Sequence, residues 1–114
     1  MQLVNRAAIT VMPKQPYIEW ANALDHDGPK MTPEHLPERT VYLVEDMADY
    51  LVDVETVVNR YFRAIFRHEL EAWHTQERDW PKKRDFATFK QWFEVEVHSM
   101  VLDIHKGSLH TEPF

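Results

Sequence analysis

The stretch whose reading decides the fold is VETVVNRYFRAIFRHELEAW, residues 54–73. Its apolar positions are Val54, Val57, Val58, Tyr61, Phe62, Ile65, Phe66, Leu70 and Trp73. They keep the helical period for about five turns, and Arg60, Arg63 and Arg67 fall on the other side. Asp53 stands where an N-cap is needed, because its carboxylate can accept from an otherwise unpaired N–H of the first turn. A stripe this long must be buried against something, and the segments on either side supply candidates.

Upstream, residues 40–45 (TVYLVE) are rich in β-branched and aromatic side chains and predict a strand. Residues 7–12 (AAITVM) predict another, with Ile9 and Val11 alternating against Ala8, Thr10 and Met12, and with Pro13 as a stop. Pro16 suits the first turn of a short helix that places Tyr17, Trp20, Ala21 and Leu24 on one face. Residues 25–39 predict a polar connection, in which Thr32-Pro33-Glu34 reads as a cap and first turn of helix.

Downstream, Phe86–Phe93 predicts a helix capped by Asp85, with Phe86, Phe89 and Phe93 inward. Residues 94–104 (EVEVHSMVLDI) predict a strand, although the same apolar positions also fit a continuation of that helix. Val95, Val97 and Val101 favour the strand. Val95 and Val97 have the opposite parity to Met100, Leu102 and Ile104. One extra residue at His98-Ser99, a β-bulge, would bring all five to one face; the alternative is a central strand covered on both faces. The expected fold is α+β: two layers, with a small mixed three-stranded sheet and helices packed on one face, in the order β-α-β-α-α-β. The 114 residues suit a single domain, and residues 105–114 read as a loose polar tail.

Composition narrows the chemistry. The net charge of −6 disfavours a nucleic-acid partner, for which a surplus of cations is needed, and Lys82-Lys83-Arg84 is the richest basic run. With no cysteine, thiol nucleophiles, disulfides and thiolate metal sites are excluded. The first residues lack the apolar run of a signal peptide, and no stretch approaches the ~20 apolar residues of a membrane span. The expectation is a cytoplasmic protein with no membrane partner.

Three stretches, NRAAITVMPKQPYIEWAN, TVYLVE and WFEVEVHSMVLDI, resemble those of a family of small bacterial proteins to which no activity is attached. The resemblance spans residues 5–104. It implies a bacterial, cytoplasmic, single-domain protein and carries over no catalytic residue.

Five residues are candidates for a ligand site: Glu69, Trp73, Trp80, His98 and Asp103. Glu69 falls within the apolar stripe. A carboxylate there is either a working group with a raised pKa or half of a structural ion pair, unless the stripe has reached solvent by then. His98 sits at the suspected bulge, as an acid–base group or as a solvated sheet residue. Trp80 precedes Pro81 in a loop and, with Trp92, reads as surface, while Trp73 reads as core or as an aromatic pocket wall. Glu71 and His74 have a di-metal spacing but only one copy of it, so no metal site is expected. No glycine-rich phosphate loop or serine-nucleophile setting occurs, no catalytic residue is identified, and no cofactor is expected.

Two functions follow as expectations. The first is a protein-binding or self-associating domain without catalytic activity, motivated by the absent motifs, the acidic charge and the Trp80–Trp92 region, with sheet edges that a second copy could also cover. The second is a small enzyme or ligand-binding protein with a pocket between the long helix and the last strand, near Glu69, Trp73, His98 and Asp103.

Overall fold

A computed structural model describes residues 1–24, 28–36, 38–47 and 53–114. The expected connection over 25–39 is therefore described only in part. The elements are β1 (Gln2–Leu3), β2 (Arg6–Pro13), α1 (Gln15–Ala23), β3 (Val41–Glu45), α2 (Val54–Trp73), a 3-10 turn (Glu77–Asp79), α3 (Phe86–Trp92), β4 (Phe93–His98) and β5 (Leu102–Asp103). The chain is α+β, with one three-stranded and one two-stranded antiparallel sheet among the described residues.

The larger sheet has the order β3-β2-β4, with both ladders antiparallel. This corrects the expected mixed sheet. A helix between two strands suggests a parallel crossover. Here β3 starts opposite Thr10, near the end of β2 that the chain has just left, so the chain re-enters the sheet at that same end and runs antiparallel. β3 and β4 do run the same way, joined through α2 and α3, but β2 lies between them.

Residues 94–104 neither continue α3 nor form one strand. The backbone turns extended at Phe93 (φ −136, ψ 140), and the strand breaks after His98. Ala8 faces His98 and Leu3 faces Leu102, so residues 4–7 stand against residues 99–101, four against three. The irregularity thus puts its extra residue on the first strand and not at His98-Ser99. Parity along the last strand is unchanged: Val95 and Val97 are half-buried, while Met100, Leu102 and Ile104 are exposed. The bulge expected to gather all five on one face is not there.

The core joins alternate sheet residues (Ala7, Ile9, Val11, Val44, Phe93) to Tyr17 of α1, to Val57, Phe62, Phe66 and Leu70 of α2, and to Phe89 of α3. Of the residues expected to face inward on α2, Tyr61 and Trp73 are half-buried, and Val54 is exposed in the first turn. Arg60, Arg63 and Arg67 are exposed. Three indole N–H groups tie elements together through main-chain carbonyls: Trp20 to Asp79 (2.8 Å), Trp73 to Ala21 (3.2 Å) and Trp80 to His74 (2.7 Å). Each gives an aromatic core residue a partner for its one polar atom. Thr32 to His35 forms a tight bridged turn and no helix.

Both expected caps are made: Asp53 accepts from the Glu55 N–H, and Asp85 Oδ1 accepts from the Thr88 N–H at 2.8 Å. The side-chain and backbone hydrogen bonds from Thr88 hold the Asp85 carboxyl below its ordinary range. Its stabilising effect is therefore present above the unfolded carboxylate pKa and lost as pH falls through the lowered one. Asp85→Ala is expected to lower the melting temperature at neutral pH, with the difference narrowing in acid; a difference that does not depend on pH would contradict the capping role.

Candidate functional site

The strand period places Tyr42 and Val44 of β3 on the inner side, opposite Ile9 and Ala7, while Val41 and Leu43 point outward. On α2, His68 follows Ile65 by three residues and Tyr61 by seven, so it lies at the border of the apolar stripe beside β3. These two periods bring Tyr42 and His68 together. The Tyr42 hydroxyl and His68 Nδ1 are 2.8 Å apart, with ring centroids 5.6 Å apart edge to face. Phe114 brings its ring within 5.4 Å of His68.

Glu69 is half-buried behind this pair. Burial pushes its carboxyl up from 4.5 to about 7, against the opposing effect of a hydrogen bond from the Tyr42 hydroxyl. The carboxylate's partner is thus a hydroxyl, one of the types its position on the stripe requires. Burial, with the Glu69 charge added, raises the pKa of both Tyr42 and Tyr17, so both hydroxyls stay protonated donors. Tyr17 donates to the Glu69 main-chain carbonyl at 2.8 Å, which fixes α1 against this turn of α2.

Beside Tyr42 and His68 lies a cleft of about 330 Å³, walled by Leu43 and Val44 of β3 and by Tyr61, Ala64 and Ile65 of α2. The outer edge of β3 has no strand partner among the described residues. The cleft is therefore an apolar slot running beside a free strand edge, with one hydroxyl–imidazole pair. Glu69 is not among its walls. Such a slot can receive an apolar side chain, and the free edge can receive a backbone.

The other sequence candidates do not meet here. His98 points outward from β4, with Nε2 at 3.4 Å from Thr10 Oγ1 and 3.6 Å from Glu96 Oε2. Trp73 is engaged with Ala21 of α1, and Asp103 lies in β5, accepting from the His105 N–H at 2.9 Å. The expected pocket of Glu69, Trp73, His98 and Asp103 between the long helix and the last strand is not formed. Trp80, read as surface, is buried, and Trp92 is half-buried against Tyr17, Trp20 and Phe66. Trp92 is covered by residues distant in sequence, and Trp80 by the folding of its own loop back onto Arg67 and the His74 carbonyl, which a position before proline does not reveal.

Glu71 is exposed beside Arg67 (3.8 Å) and His74 Nε2 meets Asp79 Oδ2 at 2.8 Å, so the pair is divided between two neighbours. Among the described residues no group of three His, Asp or Glu is arranged to hold a metal. No helix among them is long and apolar enough to cross a membrane. Tyr42 and His68 escaped the sequence reading, although the alternation of TVYLVE and the spacing Tyr61–Ile65–His68 carried the signal. No protein-family model, curated protein or solved structure matches this chain significantly.

Proposed function

We propose that this chain is a non-catalytic association domain, and that its docking surface is the free edge of β3 with the adjoining cleft, occupied by a second copy of the chain. In this reading the helices form one layer over the inner face of the sheet, and the edge is left to extend it. The observation that carries it is the unguarded edge. Natural edge strands are protected by charge, proline or bulges. β3 (VYLVE) has none before Glu45, and Val41 and Leu43 are 57% and 52% exposed. The opposite edge, β4, presents Glu94, Glu96 and His98 outward.

The strand is also complementary to itself. Paired antiparallel about Leu43, it sets Tyr42 against Val44 of the copy and Val41 against Glu45. Arg39 then lies diagonally across from the copy's Glu45, and diagonal neighbours on one face interact. Ala64, small and exposed on α2 beside the cleft, leaves room for the copy's helix.

The test is the mass in solution by light scattering over a wide concentration range. A dimer is expected, with Leu43→Lys giving a folded monomer, because two lysines would face each other on the twofold axis. A wild-type chain that stays monomeric at near-millimolar concentration would overturn the proposal.

A second reading, a small-molecule site in the same cleft, is favoured by one observation: the Tyr42–His68 pair lines an otherwise apolar slot. It predicts that Tyr42→Phe abolishes ligand binding by a monomer, whereas the association reading predicts that Tyr42→Phe leaves the dimer intact.

A further inference from the structure

On the opposite flank of α2 lies a pocket of about 360 Å³ walled by Arg63, Arg67, Lys82, Arg84, Phe66 and Trp80. In a chain of net charge −6, this is a local concentration of four cations. Arg63 and Arg67 are one helical turn apart on α2, so their side chains emerge on the same side. Lys82 and Arg84 come from the segment between the 3-10 turn and α3. We propose that this pocket is an anion site for a multiply charged phosphoryl group carried by a small molecule.

Its floor is built. Trp80 is 5% exposed and anchored by its indole N–H to the His74 carbonyl at 2.7 Å. The guanidinium carbons of Arg67 and Arg84 lie 5.4 and 5.7 Å from its ring centroid. Stacking on a fixed indole limits the freedom of both guanidinium groups before any ligand arrives, which lowers the entropy lost on binding. Arg84 is held further by a 2.7 Å hydrogen bond to the Pro81 carbonyl.

Neutralisation is incomplete. Glu71 lies 3.8 Å from Arg67 and Glu77 3.6 Å from Arg84, both at the exposed rim. Arg63 and Lys82 have no carboxylate partner among the described residues; Arg63 rests on the Phe62 ring at 5.0 Å. Two uncompensated cations and two preset guanidinium forks suit a ligand with several charged oxygens on one centre, which guanidinium groups bind through paired N–H donors. A single carboxylate would satisfy only one fork. A half-open pocket of about 360 Å³, unlike a basic stripe, also suits a small molecule better than a polymer backbone.

The test follows the Trp80 indole N–H signal by NMR while inorganic pyrophosphate is titrated into the full-length protein at constant ionic strength, with sulfate as the comparison for charge alone. A saturable shift is expected, weaker for sulfate. Arg63 and Arg67 are exposed, so Arg63→Gln/Arg67→Gln should keep the fold while weakening pyrophosphate binding at least about tenfold, as the loss of charge-assisted contacts implies. Lys83→Gln, adjacent in sequence but outside the pocket and paired with Asp85, should bind as the wild type does. A shift that sodium chloride reproduces, equal affinity for sulfate, or unchanged affinity in the double variant would overturn the assignment.

Discussion

Phe66→Ala is expected to destabilise the protein by about 3–5 kcal/mol, the range for removing a buried aromatic ring. Phe66 is 1% exposed, and its ring is the meeting point of α2, α3 and β4. Its centroid lies 5.8 Å from Phe89, 5.7 Å from Trp92 and 5.5 Å from Phe93. These neighbours are held in turn by Tyr17, Trp20 and Phe62, so the cavity left behind has few side chains free to collapse into it. A domain of this size is stable by about 5–15 kcal/mol, so the loss is a large share of the total. Urea denaturation measures it directly. A loss under about 1 kcal/mol would mean that the aromatic cluster does not close the core as described.

The second large effect depends on pH. Glu69 keeps its proton to about pH 7 in the folded chain, against 4.5 as its ordinary value. Because the folded pKa is the higher one, the folded state binds more protons across that interval. The stabilisation is complete below the unfolded pKa and is lost as pH rises through the folded one. Glu69→Gln removes the titration while keeping a hydrogen-bonding side chain for Tyr42. Relative to this variant, the wild type should lose about 2 kcal/mol between about pH 5 and pH 8, a figure discounted for partial solvent screening. Parallel stability curves across that range would show that the carboxyl is solvated.

Much of this was legible in the residues. The stripe of α2 and its Asp53 cap specify a helix whatever it packs against, because period and cap are local properties. The same holds for α3 and Asp85. The strand direction was not legible, because it depends on whether the segment after α1 returns the chain to the end of the sheet it had left. Trp80 escaped for a related reason: its burial comes from Arg67 of the helix before it, from His74 at that helix's C-cap and from Arg84 beyond it, a closure that no local pattern encodes. Glu69 was recognisable as a misplaced carboxyl, since its position on the wheel is fixed by its own helix. Its partner Tyr42 was not, since strand–helix register is a tertiary property.

The central proposal is that β3 pairs with β3 of a second copy about Leu43. The most direct measurement is a charge exchange at that position. Leu43→Lys and Leu43→Glu each place like charges opposite one another in a homodimer, and opposite charges in a mixture. Native mass spectrometry of the two variants, alone and combined, separates these species. The account predicts two monomers alone and a one-to-one heterodimer on mixing. Variants that remain monomeric when mixed, or that dimerise separately as well as the wild type does, would contradict it.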